Sequence, residues 1–407
     1  MRGGRSTARR HAGVGLPLAL AAALLLTPRP AGAQSSVYRN LPDNTWTLLD
    51  HGGLSAPSGI LAYSGMAYDS DHAKLLVFGG GHCDYNGNEV WSFDIPSATW
   101  TRLYAPDPDP ATLCPSGYDN VNYPGAVFNP PGEPIADARP LTRHTYDTVE
   151  WLGASHELFV TGNYTYASNT GVACYSGATP CYCWNCNDTW TFNPTSNRWT
   201  YRNVAHAAQP DGIAAAAYDP TSGLMYVMDR YGIWTYAVAT DAWTELSPSG
   251  ATPTASIELV AEYDSARRVI YRFGGESPTS NELWRYDIGA NRWDLLAPSG
   301  SAPPALGGWG LAYDSVNDVL VAFRGGAGTW IYNPKTNAWS AANPNTEPPA
   351  PNRVHGDMKY DPVNNVALLV TPVSGGAIET WAYRYHSGAP APPDTIPPNP
   401  PAGVTGR

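Results

Sequence analysis

Helix-forming residues are scarce along this chain, and so is positive charge: 24 Lys and Arg stand against 35 Asp and Glu in 407 residues. The first shortage argues against a helical core. The second argues against nucleic acid and anionic lipid as partners, since an acidic surface repels both. Beyond the first few dozen residues no apolar run is long enough to cross a bilayer, so no membrane insertion is expected. The motifs G-x-S-x-G and H-E-x-x-H and a phosphate-binding loop are also missing. That leaves no recognisable catalytic signature, and no cofactor or metal is expected.

What is present begins with an export pattern. Arg2, Arg5, Arg9 and Arg10 precede an apolar run from about Val14 to Leu26, followed by small residues at Ala31 and Ala33. This order fits a secretory signal over residues 1–33, cleaved before Gln34, and predicts a secreted or periplasmic protein. Its removal takes five basic residues and no acidic one, so the remainder is more acidic still. The composition then turns to short strands and tight turns, with 40 Gly, 39 Pro, 15 Trp and 25 Tyr.

A repeat runs through the rest of the chain. A Tyr-Asp pair stands at Tyr68-Asp69, Tyr146-Asp147, Tyr218-Asp219, Tyr263-Asp264, Tyr313-Asp314 and Tyr360-Asp361. Each is followed by a polar turn, an apolar run, and then Trp with an aromatic two residues on: Trp91/Phe93, Trp190/Phe192, Trp234/Tyr236, Trp284/Tyr286, Trp330/Tyr332 and Trp381/Tyr383. That alternation suits strands, and the regular spacing marks these tryptophans as core between sheets. A second Trp follows nine residues later at Trp100, Trp199, Trp243, Trp293 and Trp339, but the sixth repeat lacks it. The segment around Trp46, which has no repeat before it, supplies the missing strand. The fold class predicted is all-β: a six-bladed β-propeller over residues 36–388, its ring closed by the N-terminal strand around Trp46.

The spaced anchors and the double glycines Gly79-Gly80, Gly274-Gly275 and Gly325-Gly326 resemble the kelch repeat, which also underlies the galactose oxidase propeller. The strings GGGHCDYNGNEVWSFDI and RHTYDTVEW look like those of exported bacterial kelch proteins. Likeness to galactose oxidase implies a copper site of two Tyr and two His, one Tyr cross-linked to Cys. Here only the adjacent Tyr385-His386 resembles that pattern. No sandwich domain follows to supply another His, and Cys83 has no identifiable Tyr partner. From about residue 389 the chain is proline-rich and resembles a linker and the start of a fibronectin type III module, so it is either a tail or a truncated module.

In kelch blades the loops joining strands two and three and the connections between blades share one face. Three long irregular segments fall there: Gly79 to Asn88, about Tyr104 to Thr142, and Gly162 to Asn187. All belong to blades one and two, which marks this rim as the expected ligand face. The first carries His82, Asp84, Tyr85, Asn88 and Glu89, a set suited to gripping a sugar or a metal, or to capping a turn. Arg143, His144, Arg353 and His355 open blades two and six near the central channel, and Arg324 ends a second strand as Arg230 and Arg272 do. Such guanidinium groups attract carboxylates, including those of acidic sugars, or pair with neighbouring Asp and Glu. Cys174, Cys181, Cys183 and Cys186 suit two disulfides, or a zinc site, around Tyr182 and Trp184. Cys83 and Cys114 then remain to staple the inter-blade insertion.

Together these features predict a monomeric, secreted recognition module that binds a glycan or a protein on the loop face of blades one and two. The alternatives are a carbohydrate-active enzyme, either a lyase or a copper radical oxidase, and the scaffold of a surface adhesin.

Overall fold

In five of the six repeats the Tyr-Asp aspartate ends a strand by capping the turn behind it. The Oδ1 atoms of Asp69, Asp264, Asp314 and Asp361 accept backbone N–H bonds from the residues two and three positions on, and Asp219 does so from Thr221. The turn closes through a residue with positive φ: Ala73, His156, Gly223, Arg268, Asp318 or Asn365. A second tight turn, before the outer Trp, uses Asn44, Ala98, Asn197, Asp241, Asn291 or Asn337 in the same backbone region. Each blade therefore makes two short turns on one face and leaves its variable connections on the other.

The computed structural model describes residues 36–51, 58–61, 63–80, 88–104, 140, 143–162, 173–176, 179–182, 189–202, 210, 213–349, 354–372 and 378–387. They form the six-bladed propeller expected. There are six antiparallel sheets with four strands each, two of them gaining a short fifth strand. The inner strands Gly65–Asp69, Val149–Leu152, Ala215–Asp219, Val260–Asp264, Gly310–Asp314 and Met358–Asp361 touch one another in cyclic order around the axis. The strand Thr45–His51 is the outer strand of blade six, hydrogen-bonded to Ile378–Arg384 with Trp46 opposite Tyr383. Asn44 joins this closure, because its Oδ1 accepts the Tyr383 hydroxyl at 2.7 Å. Tyr286 and Tyr332 make the same bond within their own blades to Asn291 and Asn337. Among the described residues no helix is long and apolar enough to cross a membrane. The expected signal segment and the proline-rich segment lie outside the described residues.

Two sequence assignments change. In blade two the turn aspartate is absent: Trp151-Leu152 ends the inner strand, and Tyr146-Asp147 lies five residues upstream in the lead-in to that strand. There Trp151 Nε1 donates instead to Asp71 of blade one at 3.2 Å. The strand tryptophans Trp91, Trp190, Trp284 and Trp381 are buried as expected, but Trp234 and Trp330 are only half-buried.

A further repeat, Pro-Ser-Gly, crosses from one blade to the next. Ser249–Gly250 and Ser299–Gly300 pair in parallel with the outer strands Arg292–Leu295 and Ala338–Ala341. Gly300 has φ +80°, and a Cβ there would stand 2.3 Å from the Trp339 carbonyl oxygen. Gly300→Ala is expected to cost about 2 kcal/mol or more, from backbone collision added to left-handed strain. Gly223→Ala, with φ +69° and nothing within 4 Å, carries the strain alone and should cost about 1 kcal/mol. Urea unfolding of the two variants checks the order, and equal costs would remove the steric argument.

Candidate functional site

On the loop face the lead-ins to the inner strands meet in a collar of backbone hydrogen bonds. Tyr146 N donates to Tyr63 O, Met66 N to Gly356 O, Ala216 N to Asp147 O, Val354 N to Gly308 O, and Gly308 N to Glu258 O. The collar fixes one residue per blade at the channel mouth, five positions before the strand-ending aromatic: Tyr63, Tyr146, Ile213, Glu258, Gly308 and His355. Five of these six have positive φ, although only one is glycine. Left-handed backbone at Tyr, Glu and His is strained, and such strain concentrates at functional sites.

The mouth residues of blades one, two and six form an aromatic and imidazole cluster. The rings of Tyr63 and His144 stack at 4.5 Å, and Tyr146 meets His355 edge-on at 5.4 Å. Tyr63 also approaches Tyr146 at 5.8 Å and His355 at 5.6 Å. Across the mouth His355 Nε2 lies 3.4 Å from Glu258 Oε2. His144, Tyr146, His355 and Glu258 are buried, while Tyr63 is half-buried.

Below the mouth, the position just before the strand-ending aromatic alternates around the axis. Blades one, three and five carry Ala67, Ala217 and Ala312; blades two, four and six carry Glu150, Glu262 and Lys359. The small residues leave room for a long side chain to cross. Lys359 reaches past blade one to Glu150, and to Asp147 Oδ1 at 3.3 Å. Asp147 Oδ2 in turn accepts Ala261 N of blade four at 2.8 Å. Asp357 accepts the Ser64 hydroxyl at 3.3 Å. Among the described residues the axis thus holds four carboxylates around one ammonium. Burial pushes the Glu150 carboxyl up to about 7, with Lys359 opposing and Asp147 adding to the rise. Burial likewise raises Asp147, Glu262 and Asp357, each only partly offset by Lys359. The attraction of these carboxylates holds Lys359 above its ordinary range despite its burial.

Apart from Cys174, Cys181 and Tyr182, the residues singled out from sequence divide into three groups. His144 and His355 come together at the mouth, with Tyr63, Tyr146 and Glu258, which sequence reading did not select. Asn88, Glu89, Arg143 and Arg324 are framework contacts in whole or part. Asn88 Nδ2 donates to Pro140 O at 3.1 Å, and Glu89 Oε1 accepts Trp91 Nε1 at 3.2 Å. That carboxylate–indole bond recurs at Glu282–Trp284 and Glu379–Trp381, so it belongs to the blade rather than to the loop. Arg143 donates to Gly162 O at 3.0 Å, and Arg324 to Gly307 O at 2.8 Å. These guanidinium groups tie lead-ins to second-strand ends through backbone carbonyls. The third group, His82, Asp84, Tyr85, Trp184 and Arg353 with Cys83, Cys114, Cys183 and Cys186, lies outside the described residues.

Cys174, Cys181 and Tyr182 lie on a hairpin, Ala173–Ser176 with Thr179–Tyr182, whose register sets Cys174 opposite Cys181. The Tyr385-His386 pair sits on the tight-turn face, where Asn365 Nδ2 donates to His386 O at 2.8 Å, away from the mouth cluster. No family model matches the chain, and no curated protein matches it in sequence.

Proposed function

We propose that this chain is a kelch-type propeller, exported from the cell, that acts as a recognition module and binds a glycan or a protein on the loop face of blades one and two. The observation that carries the reading is the cluster of Tyr63, His144, Tyr146 and His355. It combines stacked rings, strained backbone and a position on the axis, on the face where the two longest connections between blade strands begin and end. Aromatic faces beside imidazole and carboxylate groups are the chemistry by which pockets grip sugars and polar peptide segments. The kelch assignment rests on the double glycines and spaced anchors, and export on the basic, apolar and small-residue order of residues 1–33.

The test is binding of the purified chain to a broad glycan array that includes uronic-acid polymers, and to proteins of the same extracellular fraction. Variants Tyr63→Ala and Trp184→Ala run beside it. The expected outcome is a ligand whose binding falls at least tenfold in both variants while their thermal unfolding stays within a few degrees of the parent. Binding that survives both substitutions rejects the blade one and two face.

A further inference from the structure

The second strand of blade four, Val269–Phe273, carries an arginine where each other blade carries an apolar side chain. Arg272 pairs with Ala261, and the equivalent pairs place Val77, Val160, Val227, Ala322 and Leu369 at that position. The propeller therefore does not need a charge there. Arg272 is 4% exposed, yet among the described residues no carboxylate lies within ion-pair distance of it. Its one protein acceptor there is the Thr254 carbonyl at 2.8 Å, for a group with five N–H donors. The nearest carboxylates are engaged by other donors. Asp229 Oδ1 accepts the N–H groups of Tyr231 and Gly232, each at 2.7 Å, and Glu282 accepts Trp284 Nε1 and the Thr254 hydroxyl. Burial pulls the guanidinium down to about 10, with Glu282 and Asp229 only partly opposing. A buried, under-compensated cation is costly unless something neutralises it.

Arg272 lines a cleft between blades three and four that opens on the loop face, bounded by Arg230, Tyr231, Glu245, Thr252 and Trp293. It encloses about 590 Å³, counting the solvent space of its open mouth. Tyr231 is 75% exposed, and the Arg230 guanidinium stands 5.6 Å from its ring centroid. We propose that this cleft is a ligand site, separate from the face of blades one and two, that takes a uronate sugar, its carboxylate on Arg272 and its ring against Tyr231. The fork of guanidinium donors matches a carboxylate, and an exposed phenol held by a neighbouring cation offers a flat apolar face to a sugar ring. Exposed Glu245 at the rim repels a second anion and accepts sugar hydroxyls, which favours one uronate among neutral residues over a run of acids.

The test is calorimetric titration of the full chain with glucuronate and galacturonate, with glucose and galactose as the matched sugars lacking only the carboxylate, and with acetate. One uronate is expected to bind at least tenfold more tightly than its neutral counterpart and than acetate. Arg272→Leu, which installs the residue blade six has at this position, is expected to lose that binding while unfolding at the same temperature or higher. Tyr63→Ala is expected to keep it, which separates this site from the one on blades one and two. Binding of neither uronate, equal affinity for acid and neutral sugars, acetate binding as tightly as the uronate, or unchanged binding by Arg272→Leu would each overturn the proposal. Loss of uronate binding in Tyr63→Ala alone would also overturn it and move the carboxylate to the channel mouth.

Discussion

Trp46→Ala is expected to destabilise the chain by roughly 3–5 kcal/mol, the cost of truncating a fully packed aromatic. Its indole is 1% exposed, donates from Nε1 to Thr329 Oγ1 at 2.9 Å, and packs against Phe323 and Tyr383 with centroids 4.9 and 5.1 Å away. Phe323 and Thr329 belong to blade five and Tyr383 to blade six, so this one side chain joins the N-terminal strand to two blades built far along the chain. Without the strand Thr45–His51, the neighbouring Ile378–Arg384 becomes an open edge, which invites pairing between molecules. Urea unfolding followed by tryptophan fluorescence measures the loss. Leu48→Ala, on the same strand but 38% exposed, is the control and should change stability by well under 1 kcal/mol. A Trp46→Ala variant as stable as the control would show that closure adds little to the ring.

The Trp46 assignment was legible because closure by a terminal strand leaves a gap at one end of a repeat and a surplus at the other. Anchors that do their work inside the repeat were legible for the same reason. Blade two misled because Tyr146-Asp147 imitates a turn pair while Trp151-Leu152 occupies that place, and a dipeptide carries no register of its own. The bond from Trp91 to Glu89 was legible as a blade feature, since Glu-x-Trp recurs at Glu282 and Glu379. The mouth positions Tyr63, Tyr146, Glu258, Gly308 and His355 share a backbone conformation but not one residue type, with four types among five positions. Nothing in one-letter code expresses that. The buried environment of Arg272 was hidden likewise, because the solvation of a side chain is decided by the blade packed against it.

Lys359→Met is expected to destabilise the protein strongly at pH 8 and much less at pH 5. The substitution keeps the bulk of the side chain but removes the only ammonium among Asp147, Glu150, Glu262 and Asp357, and deleting one partner of a buried ion pair typically costs about 3–5 kcal/mol. Protonation offers the variant a way out. Carboxylates whose folded pKa is raised bind more protons in the folded than in the unfolded chain, so their contribution is present at low pH and is lost as pH rises through the folded value. For Glu150 that window runs from its ordinary 4.5 to about 7 in the parent. Removing Lys359 takes away the attraction that opposes the rise and extends the window upwards. His355 also faces Asp147 and opposes the rise that burial imposes on that carboxyl, which moderates its share of the effect. Carboxylates held low by arginine work in the other direction: Asp318 beside Arg267, and Asp294 beside Arg285, lose their contribution only as pH falls below about 4. The parent is therefore expected to be most stable near pH 5 and to weaken towards pH 8, and Lys359→Met to follow the same direction more steeply. Melting temperatures of both proteins at half-unit steps from pH 4 to 8 decide the matter. Parallel curves would mean that the axial carboxylates are already neutral throughout, with Lys359 compensating none of them.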